Sequence, residues 1–258
     1  MKIVCISDTH NLHNHQSIVI PDGDVLIHAG DFTRIGTPKE VQSFLLWFSS
    51  LPHKHKLVIC GNHDATYSLP WDGPKKWHND PGPWKAKLEI DPTIRYIHQE
   101  VIEIDGTRIY GDNHSRECGW GWGVSYDEAP ALWKKIPKDI DILVTHGPPH
   151  GILDRHPDYR KMSKIGHHPE EPTPMMRSGC YGLRRRLEYF AKSPANRLRW
   201  HIFGHIHYSY GVHKFEFLDQ SGEVVESQIT CVNASVADES YNLTNPPIVI
   251  DSDRKKAE

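Results

Sequence analysis

The chain has 258 residues, enough for one large α/β domain or two small ones with a sizeable core. Hydrophobic residues make up 38%, charged residues 24%, and the formal net charge is −3, so there is no global basic field of the kind that binds nucleic acid or an acidic membrane. No apolar run approaches the roughly 20 residues of a spanning helix, and residues 1–10 lack a charged-then-apolar leader, so we expect a cytoplasmic protein.

In chain order, "KIVCIS" (2–7) reads as a strand and runs straight into Asp8-Thr9-His10. "VLIHA" (25–29) is a second strand, ending in Gly30-Asp31. A helix follows: Thr37 is its N-cap, Pro38 its first helical residue and Glu40 its capping-box partner, while Val41, Phe44, Leu45 and Phe48 form one apolar face. "KLVIC" (56–60) is a strand that delivers Gly61-Asn62-His63-Asp64. Segments 67–88 and 112–125, rich in Gly and Trp, read as long loops that could wall a binding site.

The stretch 100–111 predicts a hairpin turning at Asp105-Gly106. A helix is expected within 126–136, its start blurred by Pro130. Strand 141–145 ends in His146. Leu183, Leu187 and Phe190 form a helical stripe with Arg184, Arg185 and Arg186 on its solvated side, part of a basic region with Arg177, Arg197 and Arg199. Strand 199–203 ends in Gly204-His205-Ile206-His207. A second hairpin is expected over 214–227, then a separate strand over 228–233. Residues 1–250 read as a single domain and 251–258 as a solvated tail. The cysteines, Cys5, Cys60, Cys118, Cys180 and Cys231, are scattered without a CxxC, as expected of free thiols in a reducing compartment.

Five strands thus end in polar side chains of one kind: Asp, Asn and His, drawn from a chain with 19 histidines. In open α/β sheets functional groups gather beyond the carboxyl ends of the strands, and neighbouring strand ends lie about 5 Å apart. Oxygen and imidazole donors without thiolate suit Mn, Fe, Zn or Ni. The donors outnumber the needs of one ion, so the natural partition is two ions sharing a carboxylate. Asp8-x-His10 and His205-x-His207 are expected to be extended, each placing alternate side chains on one side. Glycines before Asp31, Asn62 and His205 would allow close backbone approach.

The series "DTH … GD … GNHD … H … GHIH" over residues 8–207 resembles the signature of calcineurin-like metallophosphoesterases, and "HAGDFT", "ILVTHGPP" and "TNPPI" extend the likeness to their metallophosphoesterase-domain subgroup. The resemblance implies a four-layer α/β/β/α sandwich of two mixed sheets with flanking helices and a metal site at the strand ends. It implies one ion on Asp8, His10, Asp31 and His207 and another on Asp31, Asn62, His146 and His205, with Mn favoured. His205 stands where some animal members of the subgroup carry Gly, so the site is expected to be complete. The implied reaction is hydrolysis of small phosphodiesters, among them 2′,3′- or 3′,5′-cyclic nucleotides, by a metal-bridged hydroxide. His63 would be the general acid, oriented by Asp64. The implied partner is a small nucleotide substrate; a membrane is not implied and nucleic acid is not favoured.

The rival readings are a phosphomonoesterase, a nuclease, and a metal-bound nucleotide-binding protein with little turnover. Segments 111–123 and 155–178 depart from the subgroup and bear on substrate preference. His28 is a candidate for supporting the site, His114 for reaching substrate, and Trp71, Trp77, Trp84, Trp120 and Trp122 for loop packing or stacking on a base.

Overall fold

Alternation within the strands sets the architecture. In the first strand Ile3 and Cys5 face one apolar core and Val4 and Ile6 another, so this sheet is covered on both faces. The computed structural model describes residues 1–15, 18–64, 66–67, 77–78, 91–158, 161–162, 173–219 and 221–252. Most of the expected loop 67–88, with Trp71 and Trp84, half of 155–178, and residues 253–258 lie outside the described residues.

The strands of the two main sheets are β1 (Lys2–Ile6), β2 (Val25–His28), β3 (His55–Val58), β4 (Ile94–Tyr96), β5 (Glu100–Ile104), β6 (Thr107–Asp112), β7 (Ile142–Thr145), β8 (Trp200–Phe203), β9 (Gly211–Leu218), β10 (Val224–Asn233) and β11 (Ile248–Asp251). The first sheet has the order β11-β1-β2-β3-β4, parallel except for β11, whose Asp251 pairs with Lys2. The second has the order β9-β10-β8-β7-β6-β5, with parallel strands inside and an antiparallel hairpin at each edge. Helix α1 (Pro38–Ser50) covers the outer face of the first sheet; α2 (Ala129–Lys134) and α3 (Tyr181–Ala191) cover that of the second. The result is the expected four-layer α/β/β/α sandwich.

Between the sheets lies an apolar layer of Ile3, Val25, Ile27, Leu57, Ile142, Val144, Ile202 and Val232. Burying one such side chain stabilises by about 1.5–3 kcal/mol, so this layer fixes how the sheets face each other. α1 starts as its sequence dictates: Thr37 Oγ1 accepts the Glu40 amide at 3.3 Å and the Glu40 carboxylate accepts the Thr37 amide at 2.9 Å. The hairpin β5–β6 turns at Asp105 (φ 48°) and Gly106 (φ 76°), the left-handed pair a two-residue turn requires.

Three expectations need correction. The strand over 228–233 is not separate: β10 continues through it as the second arm of the late hairpin. Arg184 and Arg186 do not form a solvated row. Arg184 bonds Glu188 at 3.0 Å and the Glu216 carbonyl at 2.7 Å, and Arg186 donates to the Ile136 carbonyl. The tail does not begin at Asp251, which closes β11. No helix among the described residues is long and apolar enough to cross a membrane.

Candidate metal centre

Five segments leave the carboxyl ends of β1, β2 and β3 in one sheet and β7 and β8 in the other, and they converge. Parallel neighbours end side by side, which is why residues 200 positions apart in sequence share one volume. The turns are tight. Asp8 (φ 58°), His10 (41°), Asp31 (55°) and His205 (69°) all lie in the left-handed region, which costs a non-glycine residue about 1 kcal/mol or more. Asp8-x-His10 and His205-x-His207 are therefore not extended; backbone turns, not the pleat, aim these side chains. The glycines serve close approach. A Cβ on Gly204 would fall 2.1 Å from the Asp8 carboxylate and one on Gly61 2.3 Å from that of Asp31.

The structure brings all seven expected donors together. Donor atoms of Asp8, His10 and His207 lie within 4.8 Å of one another, as do those of Asp31, His146 and His205. Asn62 Oδ1 is 2.9 Å from His146 Nε2, and Asp31 Oδ2 is 3.3 Å from the same nitrogen. Asp31 also reaches the other group, 3.9 Å from His10 Nε2. It is thus the carboxylate common to both.

The donor set fits divalent cations. Two rings are pinned: His146 Nδ1 donates to the Ala29 carbonyl at 2.9 Å and His207 Nδ1 to the Asp238 carbonyl at 3.0 Å, which aims each Nε2 at the site. Buried Asp8 and Asp31 carry negative charge faced by imidazoles and, at each, one main-chain amide, that of His205 at Asp8 and that of His63 at Asp31. Burial works to raise both carboxyls, but His207 beside Asp8 and His146 beside Asp31 hold them below the usual carboxylate range. Burial likewise works to lower His146 and His207, yet Asp31 and Asp8 push each up to about 9. His10 and His205, where burial prevails, fall to about 4 and about 3. His10 Nε2 and His207 Nε2 stand 3.2 Å apart, two nitrogen donors facing one point.

His63 lines the same cavity, within reach of His10 and Asp31. Its amide donates to Asp31 Oδ1 at 2.8 Å, its Nδ1 donates to the Arg34 carbonyl at 2.6 Å, and Trp120 stacks on its ring at 4.4 Å between centroids. Asp64 does not orient it. The Asp64 carboxylate accepts the amides of Gly61, Phe32 and Thr33 and the Thr33 hydroxyl, tying the third strand end to the second. Burial and the neighbouring Asp31 push its carboxyl up to about 7.

His28 accepts or donates to Thr9 Oγ1 at 3.0 Å beneath the Asp8–His10 turn, packed among Phe32, Phe44 and Phe48. His114 bonds Asp112 at 2.6 Å and packs on Trp122, outside the cavity lining. The cavity has a volume of about 540 Å³, and Arg116, His156, Ser178 and Tyr241 also line it. Tyr241, edge-on to His10 at 4.8 Å and to His207 at 5.2 Å, carried no sequence signal, nor did the carbonyl of Arg34, because a main-chain acceptor leaves no mark on residue type.

The family model for "Calcineurin-like phosphoesterase" matches residues 1–209. Among curated proteins, human "Metallophosphoesterase domain-containing protein 1" is 36% identical over 263 residues, spanning 97% of this chain and 70% of its own length; the mouse protein of that name matches equally. "UPF0046 protein K07C11.7" of Caenorhabditis elegans is 32% identical over 252 residues, spanning 96% of this chain and 74% of its own length.

Proposed function

Because this chain belongs to the calcineurin-like phosphoesterase family and is a metal-dependent phosphoesterase, we propose that it works with two cations on small phosphodiesters, cyclic nucleotides among them, in the cytoplasm. The observation that supports two cations is the position of Asp31, within reach of both donor groups. In this reading Asp8, His10, Asp31 and His207 hold one cation, and Asp31, Asn62, His146 and His205 the other; manganese suits both sets. When bound, the cations would supply positive charge to the phosphoryl oxygens and lower the pKa of a water towards neutrality.

The remaining steps belong to side chains. The Arg34 carbonyl holds His63 Nδ1–H, which leaves Nε2 to hand a proton to the departing oxygen. Trp120 covers one face of that ring and keeps it in place. Arg116, which also lines the cavity, offers donors to a phosphate oxygen. The five free cysteines agree with a reducing compartment.

The test is turnover by Mn²⁺-loaded protein of bis(p-nitrophenyl) phosphate against p-nitrophenyl phosphate, then of 2′,3′- and 3′,5′-cyclic nucleotides. We expect the diesters to be preferred. His63→Ala should lower kcat by about 10²-fold or more while the protein retains two metal ions per chain. Loss of metal along with activity would make His63 a ligand; turnover confined to the monoester would replace the diesterase by a monoesterase.

A further inference from the structure

We propose that Ser178, held by His156, accepts a hydrogen bond from a hydroxyl of the substrate, so that the cavity selects ribose esters over deoxyribose esters. The proposal rests on the phosphodiesterase reading for its substrate and concerns a different wall of the same cavity.

The proton inventory carries the argument. His156 Nδ1 lies 3.0 Å from the Pro157 carbonyl oxygen, which can only accept, so in the neutral ring Nδ1 bears the hydrogen. Nε2 then has the lone pair, and it stands 2.7 Å from Ser178 Oγ. The single proton of Ser178 is committed to His156. Towards the cavity Ser178 therefore presents lone pairs alone. A phosphodiester oxygen bears no proton and cannot satisfy it; a sugar hydroxyl can.

The wall is built to keep this arrangement. Arg155–Pro157 pairs antiparallel with Met175–Arg177, His156 opposite Met176, so Ser178, one residue past the second strand, is the diagonal neighbour of His156. Arg155 exchanges hydrogen bonds with Ser209 at 3.1 and 2.6 Å, and Ser209 ends the short turn that starts at His207. Buried Asp154 accepts from Arg177 at 2.6 Å and from the Gly179 amide at 3.2 Å, while the Ser178 amide donates to its carbonyl. Arg116 Nη1 donates to the Arg177 carbonyl at 3.2 Å, which puts a donor-only guanidinium beside an acceptor-only hydroxyl. Both line the cavity with His205 and His207. A phosphate with a free hydroxyl on the adjoining sugar complements that pair; a deoxy sugar leaves Ser178 without a donor.

The experiment measures kcat/KM for 3′,5′-cyclic AMP against its 2′-deoxy counterpart, and calorimetric binding of AMP, 2′-deoxy-AMP and 3′-deoxy-AMP to Mn²⁺-loaded protein. Wild type should favour the ribo form by about tenfold in turnover, or in binding against one of the deoxy nucleotides. Ser178→Ala should bring that ratio close to one. His156→Phe, which releases the Ser178 proton, should lower it as well, with metal content confirming that each variant is folded. A ratio near one in wild type, or one unchanged by Ser178→Ala, overturns the proposal; so does an equal loss on both sugars, which would place Ser178 against base or phosphate. If wild type turns over no diester at all, the phosphodiesterase reading fails, and the binding series still decides the role of Ser178.

Discussion

At Asp31 a left-handed backbone, a carboxylate 3.3 Å from His146 Nε2 and 3.9 Å from His10 Nε2, and a hydrogen bond donated by the His63 amide meet in one residue. Asp31→Asn keeps the shape but loses the charge. We expect metal content to fall well below that of wild type; a variant that retains the full complement would remove Asp31 from the shared position. Trp120 acts one step away. Trp120→Ala should reduce kcat roughly fivefold, for a stacking contact of about 1 kcal/mol, with metal unchanged. A larger effect on KM than on kcat would instead put the indole against substrate. At this scale the seven donors were legible, because donor chemistry is written in residue type and each follows an apolar run. The role of Asp64 was not. Its neighbour in sequence is His63, but its partners are main-chain amides of its own strand end (Gly61) and of the second (Phe32 and Thr33), which only the turn geometry supplies.

Elements decide how the donors are aimed. Gly204→Ala would set a methyl group 2.1 Å from the Asp8 carboxylate and from the Ser7 hydroxyl, so the carboxylate must swing away from His207. Metal affinity should fall about tenfold or more, measured by competition with a chelator. Thr37→Ala probes an element remote from the site. Loss of the capping box should cost about 1 kcal/mol, seen as a lower midpoint in urea, with activity kept. The helices and the strands ahead of the donors could be read from period and caps, since both sheet faces are buried and α1 carries its own start signal. The late hairpin misled for a physical reason. β10 leaves the sandwich over Val224–Glu226, where its residues are largely exposed, and enters the core only from Ile229, so one strand presents two polarities.

At the scale of the molecule the sheets meet in the apolar layer and again at the donor cluster, where the His205 amide from one sheet donates to Asp8 of the other at 3.0 and 3.1 Å. Ions that bind only the folded state raise stability by mass action, so dialysis against EDTA should lower Tm and Mn²⁺ should restore it. An unchanged Tm would mean that the cluster binds no ion tightly. Which strands share a sheet was not legible from spacing; the sandwich came from family resemblance, because pairing between distant segments is set by the common apolar layer. The same long-range pairing brings β11 back beside β1, with the Met1 amino group 3.3 Å from Asp251 and the Ser252 amide on the Met1 carbonyl. Residues 1 and 252 therefore lie side by side. A circular permutant of residues 1–252, joined there by a few flexible residues and reopened at the Asp105-Gly106 turn, should assemble with its chemistry intact, since that turn lies at the amino ends of the parallel strands and the donors at their carboxyl ends.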